Sequence, residues 1–289
     1  MTLAASPIVH HPFQFTLGPL TLTGFGIAVL AAFLIAQIVA ERELARRGHD
    51  LEARAVSDVL FAALLGTMIG AKLYYVTIVT HDIRDFWSRG GFVFWGGFIG
   101  AVALCALTIR YKKLSFVRFA DVSGIAIAAG YAVGRTGCWA VGDDYGRPYS
   151  GPFAVAFPQG APPSTVAEMQ RNFNITFPPG TDPRDVVSVV PTQLMEVVLG
   201  LAMFGILWRL RDHKHAEGWL FGVWAILAGL ERFIVEFFRA KDDRVGWAMG
   251  LSVAQLIALG MIVVGFVLMK AREKTGPDRP GIYAPAAAA

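Results

Sequence analysis

The sequence predicts an all-α integral membrane protein with seven transmembrane helices. Of its 289 residues, 55% are hydrophobic and 17% are charged, whereas soluble domains carry about 25% charged residues. The mean hydropathy is +0.51. The stretches 1–40, 90–109 and 245–269 contain no Asp, Glu, Lys or Arg, and each is long enough to cross a bilayer. These observations argue against a soluble globular enzyme.

Seven apolar runs follow one another along the chain. The first run has no basic region before it and no clear small-residue cleavage site after it, so we interpret it as a retained span and not as a signal peptide. The charge-free third and seventh runs are also predicted to be spans, and each of the other four contains one to three ionisable residues. The predicted spans are residues 20–40, 57–80, 90–109, 117–134, 192–208, 218–237 and 247–269.

Taken together, alternate connecting segments hold more Lys and Arg than the segments between them, which predicts the orientation of the helices. Because cytoplasmic loops are enriched in Lys and Arg, we expect the N-terminus outside and the C-terminus in the cytoplasm. The same distribution assigns the net charge of +4 to membrane topology and predicts no nucleic-acid partner. The richer segments hold four (41–56), four (110–118), three (209–217) and four (after Met269), and the others hold none before the first span, two in 81–89 and three in 238–246.

Two segments lie outside the predicted spans of the seven-helix domain, residues 1–270. Residues 142–190, between the fourth and fifth helices, contain eight prolines and are predicted to form a small external head, with a short strand at 153–157. An irregular lid is the expected form of this head. Residues 271–289 combine prolines with an alanine run and are predicted to be a disordered cytoplasmic tail.

Four predicted helices carry ionisable residues, which normally face a protein interior or a wet cavity because each costs roughly 2.5–3.5 kcal/mol at mid-bilayer. Asp121 lies at the cytoplasmic end, where we expect a solvated helix terminus. The other charges fall in the outer half, and their excess of cations beside an aqueous head suits a phosphate. Ion pairs that only lock the bundle are the alternative. The residues expected at this level are Lys72, Arg135, Glu196, Arg232 and Glu236.

The penultimate helix and the two cysteines add two further expectations. Arg232, Glu236 and Arg239 are spaced to share one helix face, so an Arg/Glu ladder is predicted to point into the cavity. Cys105 and Cys138 make no disulfide framework, and no Cys/His cluster has metal-ligand spacing. We therefore predict no metal and no cofactor.

Four motifs, in order along the chain, resemble those of the bacterial prolipoprotein diacylglyceryl transferase family. The segment 134–146 is similar to the family signature GRxGNFxNxExxG, and 190–196 is similar to HP(S/T)QLYE. Residues 232–239 resemble the Arg/Glu motif of the penultimate helix, and 94–97 resemble FHGG. In this chain the four segments read GRTGCWAVGDDYG, VPTQLME, RFIVEFFR and FWGG.

The resemblance implies a multi-pass enzyme of the bacterial cytoplasmic membrane. Such an enzyme moves the diacylglyceryl group of phosphatidylglycerol, or of a similar anionic phospholipid, onto the lipobox cysteine of a prolipoprotein signal peptide, and glycerol phosphate leaves. Carried over by position, the implied catalytic residues are Arg135, Asp143 and Arg232. The implied lipid-binding residues are Trp95, Gly137, Gly146, Gln193, Glu196, Glu236 and Arg239.

Four positions depart from the family pattern. Trp95 replaces a histidine, Thr23 and Ala228 replace tyrosines, and Cys138 replaces an asparagine. All six histidines lie outside the predicted spans. These departures are compatible with another base such as Asp143 or Asp144, with a lipid transferase that uses the same donor and another acceptor, or with a non-catalytic phospholipid-binding accessory protein.

Overall fold

The computed structural model describes residues 8–18, 20–88, 91–240 and 250–284, which form eight α-helices and five short strands. After α2 the chain continues as one wider helical stretch, Tyr75–Thr80, and a 3₁₀ turn, Ile83–Trp87. The helices are α1 Gly24–Arg46, α2 Asp50–Tyr74, α3 Phe94–Tyr111, α4 Phe116–Val141, α5 Val166–Phe173, α6 Thr192–Leu210, α7 Trp219–Val235 and α8 Val253–Ala271. The strands are β1 Ile8–Val9, β2 Gln14–Leu17, β3 Leu20–Thr23, β4 Val155–Ala156 and β5 Ser188–Val189.

The predicted class of mostly helical membrane protein is confirmed. In the described ranges, six helical segments are long and apolar enough to cross a bilayer, namely α1, α2 with its continuation, α3, α4, α6 and α8. The helix α7 is shorter, with 17 residues, so the count of seven spans and their orientation stay predictions. The predicted start of the last span at 247 lies outside the described residues. The helix α8 begins at Val253, where Ser252 and Gln255 form a reciprocal capping box.

The first helix begins four residues later than predicted because residues before it form a hairpin. Strands β2 and β3 pair antiparallel, with Gln14 opposite Thr23. Polar and apolar residues alternate in LTLT, residues 20–23, which is a strand pattern that mean hydropathy does not reveal. Thr23 then caps α1, since its hydroxyl accepts a hydrogen bond from the backbone N–H of Gly26 at 3.2 Å. The residue at this altered family position therefore has a structural role.

Small residues let the long helices approach closely. A Cβ on Gly137 of α4 would lie 2.8 Å from the Cβ of Ala28 on α1, closer than side chains pack. On α2 and α3, four glycines face each other so that a Cβ on any of them would collide with the backbone of the other helix. This is the close packing expected of two GxxxG segments. The four glycines are Gly66, Gly70, Gly96 and Gly100.

The inserted segment 142–190 has a small core of its own. Strand β4 pairs antiparallel with β5 and parallel with β1, so Ile8 lies opposite Val155. The predicted strand at 153–157 is thus only two residues long. The N-terminal strand and the inserted segment, which we call the head, therefore lie at the same end of the bundle. The buried side chains of the head core are Tyr145, Val155, Phe157, Val166, Met169, Val187 and Val189.

Asp121, expected to be a solvated helix terminus, is fully buried, and that expectation was wrong. One carboxylate oxygen pairs with Arg47 at 2.7 Å and lies 3.3 Å from a ring nitrogen of His213. The other accepts the backbone N–H groups of Gly218 and Leu220, each at 2.9 Å. Backbone N–H groups at the start of a helix have no partner within the helix, and no side chain caps the start of α7 locally. Asp121 takes the place of that cap. Tertiary contacts with α1 and α7 thus bury a residue whose sequence position suggested a water-exposed end.

A second buried cation lies beside Asp121. The guanidinium of Arg118 pairs with Glu52 of α2 and with Glu217 before α7, at 2.6 Å in both cases. All three side chains are about 95% buried. Asp121, Arg118 and their partners therefore tie the ends of four helices together, and we call them the inner charge layer.

The tail differs from the disordered segment that its composition predicts. Residues 272–284 pack on the inner charge layer, while 285–289 lie outside the described residues. The carbonyl of Pro280 accepts a backbone hydrogen bond from the loop before α7. Ile282 is 2% exposed, and its carbonyl lies 2.8 Å from Nε2 of His49. One apolar side chain and a few main-chain hydrogen bonds hold this stretch in place, and amino-acid composition alone does not predict such contacts.

Replacing Asp121 by Ala is expected to destabilise the protein by about 3–5 kcal/mol, because Arg47 would stay buried without its carboxylate. Thermal unfolding in detergent measures the effect. The matched control is Asp58→Ala, which breaks an exposed pair with Lys112 and should cost about 1 kcal/mol or less. Equal shifts in the two variants would contradict the buried network.

Candidate functional site

Three side chains near the C-terminal end of α4 share one helix face. Tyr131, Arg135 and Cys138 are four and three residues apart, the spacing of neighbours on a helix surface. The guanidinium carbon of Arg135 lies 6.0 Å from the centroid of the Tyr131 ring, and Nη1 lies 3.3 Å from Sγ of Cys138. The side chain of Arg135 is 13% exposed, so the apolar helix presents a nearly buried cation.

Two acids follow where α4 ends. Gly142 adopts a left-handed φ of 68°, which closes the helix and turns the chain toward α6. The first residues of α6 then hold both acids by their backbone. The Thr192 hydroxyl donates to the carbonyl of Asp144 at 2.7 Å, and Nε2 of Gln193 donates to that of Asp143. Gln193 is completely buried and positions Asp143, while its predicted contact with lipid stays a prediction.

Two arginines and two carboxylates form the centre of the site, which we call the outer charge cluster. Arg135 pairs with Glu196 of α6 and, at 3.0 Å, with Oδ2 of Asp144. Arg239 pairs with Oδ1 of the same Asp144 at 2.7 Å and lies 3.8 Å from Glu196. The two guanidiniums therefore converge on one carboxylate from different elements.

Arg239 reaches this position through a backbone bridge. Its carbonyl accepts a hydrogen bond from Nε of Arg147 at 2.9 Å, and the preceding carbonyl, of Phe238, accepts the backbone N–H of Arg147 at 2.8 Å. Gly146 lies opposite Arg239 in this bridge, and a Cβ there would collide with Phe238, Val190 and Thr192. Gly146 is thus required for close packing, and its contact with lipid stays a prediction.

The predicted Arg/Glu ladder forms only in part. Arg232 pairs with Glu236 at 2.7 Å, as the spacing indicates. The helix α7 ends at Val235, so Arg239 leaves the helix face and joins the bridge described above. Glu231 links α7 to α4, since it accepts a hydrogen bond from the Tyr131 hydroxyl at 2.9 Å. It also interacts electrostatically with Arg135, Arg232 and Arg239. Spacing alone did not show where the helix stops.

The structure separates two predicted residues from the outer charge cluster. Trp95 is 44% exposed on α3, where its ring contacts Phe94. Lys72 donates to the Ser88 carbonyl at 2.6 Å and lies 4.9 Å from the Phe92 ring centroid. Both belong to the α2–α3 pair, which packs mainly on itself. Among the described residues, therefore, Lys72 contributes to the loop before α3 and not to the arginine site.

Sequence reasoning missed Tyr131 and did not assign Glu231 or Asp144 to the arginines. Tyr131 lies one helical turn before Arg135, a spacing that could have indicated it. The pair between Asp144 and Arg239 joins residues 95 positions apart, and no local pattern reports such a contact.

The two adjacent acids have opposite protonation behaviour. Burial raises the pKa of Asp143 above its ordinary 3.8, and the neighbouring charge of Asp144 adds to the shift. Burial also acts on Asp144, but Arg239 and Arg135 outweigh it and lower the pKa of that carboxyl. Asp144 therefore keeps its negative charge to lower pH than an ordinary aspartate, whereas Asp143 binds a proton more readily than one.

Cys138, Asp143 and Asp144 bring one sulfur and two carboxylate oxygens within 4.8 Å of one another. The guanidinium of Arg135 already contacts both Cys138 and Asp144. The positive charge that a metal would bring to these three groups is thus supplied by an arginine.

Comparison with known proteins identifies the family of the chain. Residues 12–271 match the family model of prolipoprotein diacylglyceryl transferase. The chain is 31% identical over 278 residues to the phosphatidylglycerol–prolipoprotein diacylglyceryl transferase of Geobacter sulfurreducens, covering 92% of this chain and 97% of that protein. It is 33% identical over 284 residues to the protein of the same name from Paraburkholderia xenovorans, covering 89% and 91%. This multi-pass membrane protein belongs to the prolipoprotein diacylglyceryl transferase family.

Proposed function

We propose that the protein transfers the diacylglyceryl group of phosphatidylglycerol to the cysteine thiol of a prolipoprotein. In this reaction a C–S bond forms, the C–O bond between the diacylglyceryl carbon and the phosphate breaks, the thiol proton passes to a base and glycerol phosphate leaves. Family membership and the names of the relatives support this assignment. The observation that carries it is the convergence of Arg135 and Arg239 on Asp144, the residue next to Asp143.

The arginines serve the phosphate half of the reaction. Arg135 and Arg239 present Nη atoms to the same point from α4 and from the segment after α7. Arg232 is 31% exposed and pairs with Glu236, and like the other two arginines it interacts electrostatically with Glu231. Planar guanidiniums donate two parallel hydrogen bonds to a phosphate. They would stabilise the negative charge that grows on the leaving phosphate in the transition state.

Asp143 serves the thiol half. No histidine is needed for this step if a carboxylate of raised proton affinity stands beside the arginines, as Asp143 does. Its Oδ1 is buried without a hydrogen-bond partner and is therefore available to accept a proton. Arg135 would in addition favour the thiolate form of a substrate thiol by its charge.

The remaining architecture completes the proposal. Seven spans, with the N-terminus outside and the C-terminus in the cytoplasm, would place the outer charge cluster and the head 142–190 on the external side of the bacterial cytoplasmic membrane. Phosphatidylglycerol, or a similar anionic phospholipid, would then reach the arginines from the bilayer. The signal peptide of the prolipoprotein would approach from the same membrane.

Expression in a bacterium depleted of its own transferase tests the function. Mass spectrometry of a reporter lipoprotein should show the added diacylglyceryl group. A modified molecule other than a lipoprotein would favour the same donor with another acceptor. If nothing is modified although phosphatidylglycerol binds to the purified protein, the non-catalytic accessory role is the correct one.

Arg135→Ala and Arg232→Ala are each expected to lower the transfer rate at least about a hundredfold, the usual cost of removing one donor to a developing oxyanion. Arg135→Lys should recover little, because the ammonium lacks the planar fork. A peptide-transfer assay in detergent measures the rates.

Arg171→Ala is the control for these variants, since Arg171 is 71% exposed on α5 and pairs only with Glu168 among the described residues. Its rate should stay within about twofold of the unmodified protein. Full activity of Arg135→Ala or Arg232→Ala would show that these arginines only lock the bundle.

Asp143→Asn is expected to lower the rate by roughly 10² or more, the size of a general-base contribution. In the unmodified protein the rate should fall as the pH drops through the raised pKa of Asp143, since the base is then protonated. This acid limb should disappear in the variant. Asp182→Asn, an exposed carboxylate of the head, is the control. An unchanged rate and pH profile in Asp143→Asn would instead assign ionisation of the thiol to the arginines alone.

A further inference from the structure

Each described arginine of the site is already neutralised. Arg135 pairs with Glu196 and Asp144, Arg239 with Asp144, and Arg232 with Glu236. A phosphate that enters this site cannot simply fill a free cationic pocket. It must compete with a carboxylate of the protein for the same guanidinium donors.

Asp144 is the carboxylate that can give way. Its side chain is 39% exposed, whereas those of Glu196 and Glu236 are 1% and 2% exposed. Glu196 would lose its charge compensation inside the bundle if it left Arg135, and burial makes that loss expensive. Asp144 is partly exposed, so leaving the arginines costs it much less.

A cleft next to Asp144 offers the space for this movement. The cleft has a volume of about 450 Å³ and lies between Arg239 and residues of the head. Asp144 has a left-handed φ of 54° in the turn that follows α4, at the start of the head and outside any helix. The residues that line the cleft are Asp143, Asp144, Tyr145, Ala161, Pro162, Asn172, Phe173, Arg239 and Ala240.

The contacts of Asp144 have the form of phosphate contacts. One oxygen accepts from Arg135 at 3.0 Å and the other from Arg239 at 2.7 Å. Two oxygens of a phosphate would accept from the same pair of guanidiniums in the same way. The carboxylate thus occupies the position that a lipid phosphate needs.

We propose that Asp144 is a displaceable counter-ion that holds the phosphate position between Arg135 and Arg239 and returns to it when the product leaves. The role in product release rests on the proposed function. The lipid phosphodiester carries one negative charge, whereas the released phosphate monoester carries nearly two at neutral pH. Without a competitor, two guanidiniums would retain this product more strongly than the substrate. Asp144 counteracts that preference, and it acts through the arginines as a positioning residue.

The test is the affinity of the purified protein, in nanodiscs, for glycerol phosphate and for inorganic phosphate. Calorimetry should show that Asp144→Asn binds glycerol phosphate about tenfold more tightly than the unmodified protein, the size of one charge-assisted hydrogen bond in net terms. Asparagine tolerates the left-handed backbone of this position, so the variant should fold. In steady-state transfer, both KM and kcat of Asp144→Asn should fall, because product release becomes slow.

Two further variants separate charge from structure. Asp144→Glu keeps the negative charge and should bind glycerol phosphate like the unmodified protein. Asp182→Asn removes the same charge at another exposed loop and should change the affinity less than twofold.

The outcomes distinguish the ligand group that competes with Asp144. If Asp144→Asn also binds inorganic phosphate more tightly, the effect belongs to the phosphate group; if it binds only glycerol phosphate more tightly, the effect belongs to the whole headgroup. Both results support the counter-ion. Unchanged or weaker binding by folded Asp144→Asn, or no phosphate binding in any variant, would overturn it. Calorimetry does not depend on transfer, so a failure of the proposed function is seen separately, as absence of product.

Discussion

Charge compensation of Arg135 inside an apolar bundle is the constraint on which the site depends. A nearly buried guanidinium is tolerated only if carboxylates surround it, because an uncompensated buried charge costs several kcal/mol. Glu196 provides the buried partner from α6, and this pair fixes the distance between α6 and α4. Thr192 and Gln193, at the start of the same helix, then hold the two acids after α4. One compensated cation thus determines where the next helix and the acidic loop lie.

The long helix α4 carries charge at both ends, and the two ends are built differently. Asp121 and Arg135 are separated by about 21 Å along the helix, at 1.5 Å per residue. The inner charge layer is shielded from solvent. Asp121 has four partners and its side chain is fully buried, and the tail packs over the layer. The outer cluster stays partly open to a cleft. Similar residue types therefore stabilise the fold at one end and remain accessible to a ligand at the other.

The position and length of the apolar runs were enough to predict the helices, since six of the predicted spans coincide with helices long enough to cross a bilayer. The motif residues Arg135, Glu196 and Arg239 indeed meet. What sequence could not provide were contacts across the bundle. The burial of Asp121 depends on backbone donors of α7, and the order of the tail depends on Ile282. The end of α7 before Arg239 depends on a bridge to Gly146. Each is a tertiary interaction between segments far apart in the chain, and no local pattern encodes it.

The parallel pairing of β1 with β4 links the earliest described residues to a segment made about half a chain length later. Until β1 is in place, one edge of β4 has unpaired N–H and C=O groups, which attract any other extended strand. The amino-terminal strand therefore protects the head from edge-to-edge association. It also means that biogenesis of the head is a non-local event: several helices have to be inserted before its sheet can close. A bulky fusion placed directly before Ile8 would hinder the pairing of β1 with β4, whereas an insertion at the exposed turn at Gly180 would leave both strands unchanged.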